Sequence, residues 1–441
     1  MLKKHFKAQA AVTLLGLLAL ETLFARMARL GDLKLHVIET ITLALAAGVV
    51  YCILLYALER SRDTPVALWL ILGGALLFRL TLAPLPPSLS TDLYRYQWDG
   101  RVQNAGWNPY AIAPLDPRLE PLRDPGWTVM PVPGIPTMYP PLSELVFRYT
   151  ERWADRVWPD PAGFKLPFLL ADLLVVALLA GWLRSIGGRN YQLAVYAWSP
   201  LVIVEFAASG HNDALAIAAV VLALTIIRGW PGVSTVVLMA GALAKLFPIT
   251  LLPLWLRLAG WPRRWRGWLA VAGATALGLV CLWPYRSAYP QVLETFIHYQ
   301  RIFRNYNASL YAVLHWFTGR HAVAAGIGEC IVLGLAVWVA ARKVDPARAA
   351  FWVIGAILLG APNAYSWYFT WIVPMLCFFP SPAWLLLTIL QFLSYKLLIN
   401  YQILGIWHFD PFFQWLTYAP FYALLLGSWL KRRSQAPQAQ I

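Results

Sequence analysis

Long apolar stretches separated by short basic loops make up most of this chain, and one polar island interrupts them. Windows long enough to cross a bilayer fall at about 9–29, 36–58 and 66–84, before the island. After it they fall at about 164–184, 191–207, 213–228, 268–284, 322–341, 349–361, 367–379, 383–401 and 414–430. Residues 232–258 are apolar but flanked by positive charge on both sides, and they contain Pro248 and Pro253. This predicts two short helices that rise and return, with Lys245 near the turn. The pattern predicts an all-α integral membrane protein, a multi-span helical bundle of about 12–14 spans.

The island covers 85–163 and is rich in proline. Consecutive prolines in APLPPSLS forbid a helix, and Ser90 or Thr91 can then cap one running from Asp92 to about Ala105. Gly106 and Asn108-Pro109 end it. A second helix is predicted over 141–157, amphipathic, with Leu145, Tyr149 and Trp153 on one side and lying on the membrane surface. Four segments follow: three spans in 1–84, an extracytoplasmic loop in 85–163, the remaining bundle in 164–430, and a basic cytoplasmic tail in 431–441.

Composition agrees with a membrane protein: 59% of residues are hydrophobic, 13% are charged, and the mean hydropathy is +0.57. The net charge of +15 does not indicate a nucleic-acid partner, because much of the excess sits in short loops beside apolar spans. The basic runs at 59–62, 184–190, 228–232, 341–348 and the C-terminus mark a cytoplasmic side, although Arg26, Arg29 and Lys34 run against that rule. Both termini are then inside, and the start of the chain is a retained first helix. Cys52, Cys281, Cys330 and Cys377 fall in apolar runs without paired spacing and suggest packing residues.

The candidate chemistry gathers on the outer side. In the helix at 92–105, Asp92 and Asp99 share a face with Arg95, Tyr96 and Gln103 nearby. The two aspartates are about 10 Å apart, too far to share a proton. Asp92 at the helix N-terminus would be held ionised by the helix dipole and ready to accept a proton. It can equally be a simple cap, with Asp99 paired to Arg95 or Arg101. His211, Asn212 and Asp213 are either a cap or a hydrogen-bonding cluster for sugar or phosphate. Lys245 in an apolar run points to an anion, a cavity or an internal pair. His298, Arg301 and Arg304 recur at helical spacing and suit phosphate or anionic lipid headgroups. Tyr365, Trp367 and Tyr368 suit an interfacial belt or a platform for a prenyl chain or sugar ring. No Walker loop, GxGxxG, HExxH, CxxC or GxSxG stands in a supporting context, so neither a nucleotide nor a metal is expected.

The blocks DLYRYQWDGRVQNAGWNPY, GHNDAL, LAKLFPITLLPLWL, NASLYAVL and WYFTWIVPML, in that order over 66–380, resemble the polyprenol-phosphate-dependent glycosyltransferases of family 87, which have the GT-C fold. The resemblance implies an inverting hexosyltransferase without cofactor. It would move a sugar, mannose first among candidates, from a polyprenyl-phosphate donor to a lipid or glycan acceptor. It maps the family's catalytic aspartate onto Asp92 and its donor-phosphate residues onto His298, Arg301 and Arg304. It implies a multi-pass protein of the inner (plasma) membrane, in contact with membrane lipids, its site facing the periplasm or exterior. Two spans precede the family's usual first helix. The rival reading is a secondary transporter or flippase of lipid-linked sugars, using Lys245, Asp172 and Glu205. An oligosaccharide ligase with a pyrophosphate-linked donor is a variant within the enzyme reading.

Overall fold

The computed structural model describes residues 2–157, 161–292, 294–295, 306–342, 344–405, 407 and 409–435. Among these residues every regular element is a helix and there is no strand. Three helices open the chain, α1 (Leu2–Arg29), α2 (Val37–Arg60) and α3 (Pro65–Leu82), with α1 packed against both of the others. The third starts where expected from its sequence, with Pro65 at the first position and the Thr64 hydroxyl accepting from Ala67 N–H at 3.1 Å.

Seven helices among the described residues are long and apolar enough to cross a membrane, and the pair Asn190–Ala197 and Pro200–Ala208, bent by 41°, makes an eighth if counted as one. Two windows expected to span, 213–228 and 349–361, fold as the shorter apolar helices Asp213–Ile226 and Pro346–Gly360, the 232–258 segment gives Pro231–Ala244 and Phe247–Ala259, and the window at 414–430 lies in the helix Pro411–Gln435, which contains Pro420 and is not among the seven. A helix of 14 residues reaches only about 21 Å, less than the hydrocarbon thickness. The window at 367–379 is not a span. It folds as a 3₁₀ helix, Ser366–Ile372, and one α-turn, Val373–Leu376, buried on almost every side. Its apolarity reflects protein interior rather than lipid. The predicted break in 232–258 is present, since Lys245 lies in extended backbone (φ −150°, ψ 138°) after Pro231–Ala244.

The polar island folds onto the bundle. Helix α4 (Asp92–Asn104) matches the predicted range and packs against α5 (Pro141–Glu151) so closely that a Cβ on Gly100 would lie 2.5 Å from the Phe147 carbonyl oxygen. A small satellite core of Trp98, Val102, Ile112, Leu119 and Met130 fills the loop between them. The expected interfacial face of α5 is not its buried one. Ser143, Glu144, Phe147 and Thr150 point inward, whereas Tyr149 is exposed. Glu144 goes inside because Thr137 and Gln103 donate to its carboxylate at 2.6 and 2.8 Å.

Within the bundle, Arg79 and Asp172 form a buried pair at 2.5 Å. The remaining Arg79 donors go to the Ala75 and Ala197 carbonyls at 3.0 and 2.8 Å, and Tyr196 donates to Asp172 at 2.7 Å. Asp172 is thereby part of the frame. Replacing Arg79 by Leu strands this carboxylate and should cost about 3–5 kcal/mol, whereas the double variant R79L/D172L should recover most of that. Thermal unfolding of the detergent-solubilised protein measures both, and equal loss in the single and double variants would refute the pairing argument.

Candidate functional site

A cavity of about 910 Å³ opens where α4, the 128–133 loop, the Lys245 break and the 365–371 segment meet. Asp92, Arg95, Tyr139 and Lys245 form its polar end. Tyr365, Trp367, Tyr368, Trp371, Tyr401 and Trp407 line much of the rest. The fold thus brings four distant stretches of the chain to one hollow.

Asp92 is the first residue of α4, and its backbone N–H donates to Ser90 Oγ at 3.3 Å. Thr91 occupies the cap position without a side-chain bond. Only 22% of the Asp92 side chain is exposed. Burial raises its carboxyl to about 6, against the opposing pull of Lys245 and Arg95, and Asp213 adds to the rise. This differs from the expectation that the helix dipole dominates: the dipole acts as only about half a charge, and desolvation of a nearly covered carboxylate outweighs it.

Asp99 sits two turns down and plays a different part. Both its oxygens accept from Arg95 Nε, at 2.9 and 3.0 Å, in a fully buried pair. Arg95 also donates to the Val132 and Ile135 carbonyls at 3.0 and 3.1 Å, clasping the loop that walls the cavity. Arg101 pairs instead with Asp124 at 2.6 Å and Glu151 at 3.1 Å. Tyr96 lies behind Asp92 in the core, stacked on Phe147 at 4.5 Å, and its hydroxyl donates to Asn212 Oδ1 at 3.2 Å.

His211, Asn212 and Asp213 form a buried cluster, not a cap. Asn212 precedes the helix Asp213–Ile226 but makes no capping bond with its side chain, donating instead to Ser143 Oγ at 3.0 Å. Asp213 accepts from Lys245 Nζ at 2.9 Å and from Trp371 Nε1 at 2.7 Å. Lys245 also lies 5.5 Å from the Tyr368 ring centroid, in cation–π range. His211 stacks on Trp367 with centroids 4.2 Å apart, its Nδ1 is 4.0 Å from Asp92 Oδ2, and its Nε2 is 3.4 Å from Glu205 Oε2. Burial, then the Lys245 charge, holds the imidazole well below its usual pKa, so it is neutral.

Of the residues singled out from sequence, Asp92, Arg95, Lys245, Tyr365, Trp367 and Tyr368 line the cavity, and Asp99, Tyr96 and the His211–Asp213 cluster support it from behind. His298, Arg301 and Arg304 lie outside the described residues. Tyr139 and Tyr395, both on the cavity wall, carried no pattern of their own. Glu205 did carry one, as a lone acid in the apolar run LVIVEFAASG. Among the described residues, no group of three His, Cys, Asp or Glu side chains is placed to hold a metal ion.

The model of the MptA/B family, described as the N-terminal domain of an alpha-(1->6)-mannopyranosyltransferase, matches residues 9–260. The match begins inside α1, so the first hairpin is part of that domain rather than an addition to it. No curated protein matches, and no solved structure matches.

The clasp by Arg95 has a direct consequence. Replacing it by Met removes both bonds to the loop carbonyls and should expose 128–135 to limited proteolysis at least about tenfold faster, with the bundle intact. Unchanged cleavage would mean that the satellite core alone holds the loop.

Proposed function

The chain belongs to the family of alpha-(1->6)-mannopyranosyltransferases, and from that premise we propose that it transfers mannose from a polyprenyl-phosphate donor, with inversion, to a lipid- or glycan-linked hydroxyl. It is a multi-pass membrane protein of the glycosyltransferase class. The reading places it in the plasma membrane with the cavity open to the exterior, as the distribution of basic loops suggests.

One observation carries the reading: a nearly covered carboxylate and a lysine both line a largely apolar cavity rich in aromatic side chains. Asp92 accepts the proton of the attacking hydroxyl. That oxygen bonds to the anomeric carbon from the face opposite the phosphate, and the carbon–oxygen bond to phosphate breaks. Polyprenyl phosphate leaves with the bonding electrons, and Lys245 balances its charge. A base whose pKa lies near 6 is ionised at neutral pH and still stronger than an ordinary aspartate. Tyr365, Trp367 and Tyr368 offer faces for the sugar ring and the first prenyl units. On the resemblance alone, His298, Arg301 and Arg304 join Lys245 on the phosphate.

Asp92→Asn should lower mannosyl transfer by about 10²- to 10⁴-fold while leaving expression and thermal stability unchanged. Because the raised carboxyl must be deprotonated to act, kcat/KM in the wild type should climb with pH through about 6 and then level off. Wild-type turnover in D92N rules out Asp92 as the base. Lys245→Met should raise the KM for polyprenyl-phosphate mannose about tenfold or more, and an unchanged KM removes the phosphate role.

A further inference from the structure

Beneath Asp92, two sealed polar atoms have no hydrogen-bond partner and face one another. They are His211 Nε2 and Glu205 Oε2, 3.4 Å apart, on side chains 1% and 0% exposed. The local backbone is built to create this meeting. Val204–Ala208 winds as a π-helix, a form that recurs at functional sites, and Gly210 then turns with φ +73°. A Cβ at Gly210 would lie 2.8 Å from Lys165 and 3.0 Å from Leu93, so the turn admits only glycine.

A single proton between the two atoms satisfies both, and it must belong to one of them. The other oxygen of Glu205 accepts from Tyr395 at 2.6 Å, and Tyr395 in turn accepts from Ser366 at 3.0 Å. Among the described residues no Lys or Arg is within ion-pair distance of Glu205. An anionic Glu205 would therefore be a buried charge with neutral neighbours, which costs several kcal/mol. The groups facing this pair are Asp92 from α4, Asp213 and Lys245 from behind the cavity floor, and Tyr395 and Ser366 from the far side.

We propose, resting on the reading of Asp92 as base, that Glu205 and His211 are positioning residues forming a directional chain. Glu205 keeps its proton and donates it to His211 Nε2, which fixes the tautomer with hydrogen on Nδ1. The Nδ1–H is aimed at Asp92 Oδ2 and holds the carboxylate with its other oxygen turned to the acceptor hydroxyl. The donors in order are Ser366, Tyr395, Glu205 and His211, and Asp92 is the final acceptor. The 4.0 Å gap at its end closes when substrate binds, as catalytic hydrogen bonds commonly do. Stacking on Trp367 keeps the imidazole in the plane this requires. No proton moves along the chain, since its effect is to orient the base and to favour its ionised form.

The test has two independent parts on the full-length protein in lipid nanodiscs. Nitrogen-15 spectra of labelled wild type, with the His211 signal identified by its loss in H211N, should show Nδ1 protonated and Nε2 bare. A protonated Nε2 overturns the proposal whatever the transfer assay shows. In the second part, initial rates with polyprenyl-phosphate mannose and a lipid extract are followed against pH. Glu205→Leu should lower the rate about tenfold at neutral pH, keep the donor KM within about threefold, and move the rising limb up by about one unit, because Asp92 loses a donor to its charged form. Glu205→Gln, whose amide can still donate to Nε2, should recover most of the rate and the original limb. If E205Q behaves like E205L, a carboxylate charge rather than a donated proton is at work and the proposal fails. If D92N keeps wild-type activity, the base assignment fails instead, and the nitrogen spectra alone then decide whether the chain exists.

Discussion

One ammonium group holds the floor of the site together. Lys165 Nζ donates toward four backbone carbonyls: Ala83 at 3.1 Å, Ala207 at 3.2 Å, Ala208 at 2.6 Å and, more closely, Leu85. These carbonyls sit at the end of α3 and at the π-turn, where helices stop inside an apolar bundle and leave acceptors unmatched. A lysine Nζ among the carbonyl ends of two helices satisfies these acceptors without a carboxylate partner. The consequence reaches the cavity. The chain leaving α3 must run through 83–91 into Asp92, and the chain leaving the π-turn must run through Gly210 into His211, so the same lysine fixes both approaches.

Around that anchor the buried carboxylates are sorted by their partners. Asp172 belongs to Arg79, Asp99 to Arg95, Asp213 to Lys245, and Glu144 to Thr137 and Gln103. Asp99 and Glu144 are both raised chiefly by burial, as interior carboxyls must be. Asp92 differs in that the nearest ion-pairing group is a neutral imidazole at 4.0 Å, with the cavity on its open side. These four acids have hydrogen-bonded or ion-paired oxygens. Asp92 combines a cavity wall with partial exposure, which is the condition a base needs and a frame residue avoids.

The helical class and the range of α4 were legible because apolar windows and proline-glycine punctuation are local signals. Asp92, Lys245 and the His211–Asp213 cluster were legible for another reason: polar residues in apolar surroundings are costly and so are rarely idle. What local signals could not reach was direction. The inward face of α5 is set by donors to Glu144 from Thr137, in the loop before the helix, and from Gln103, on α4 and 41 residues away. Hydropathy also cannot distinguish lipid from protein interior, which is why 367–379 reads as a span and folds as a buried 3₁₀ segment. The raised Asp92 carboxyl was beyond reach too, since a dipole can be read from helix position but desolvation requires knowing what covers the group.

The division of the chain follows a division of labour in the cavity. Within the region matched by the family model lie Asp92, Arg95, the His211–Asp213 cluster and Lys245, which is every charged group just discussed at its polar end. Beyond residue 260 lie Tyr306, Tyr365, Trp367, Tyr368, Trp371, Tyr401 and Trp407, an aromatic wall closed by Leu397 and Leu398. Charge placement tolerates little change, because a displaced ion in this interior loses its partner at a cost of several kcal/mol. An aromatic wall tolerates exchange, since stacking and prenyl packing depend on area more than on fixed donors. The same chemistry can therefore be retained in the first part of the chain while the second part adjusts the cavity to a different lipid or acceptor. Two bonds join the two parts near the site, Trp371 Nε1 to Asp213 at 2.7 Å and Tyr395 to Glu205 at 2.6 Å, and the first keeps that wall in register with the lysine it surrounds.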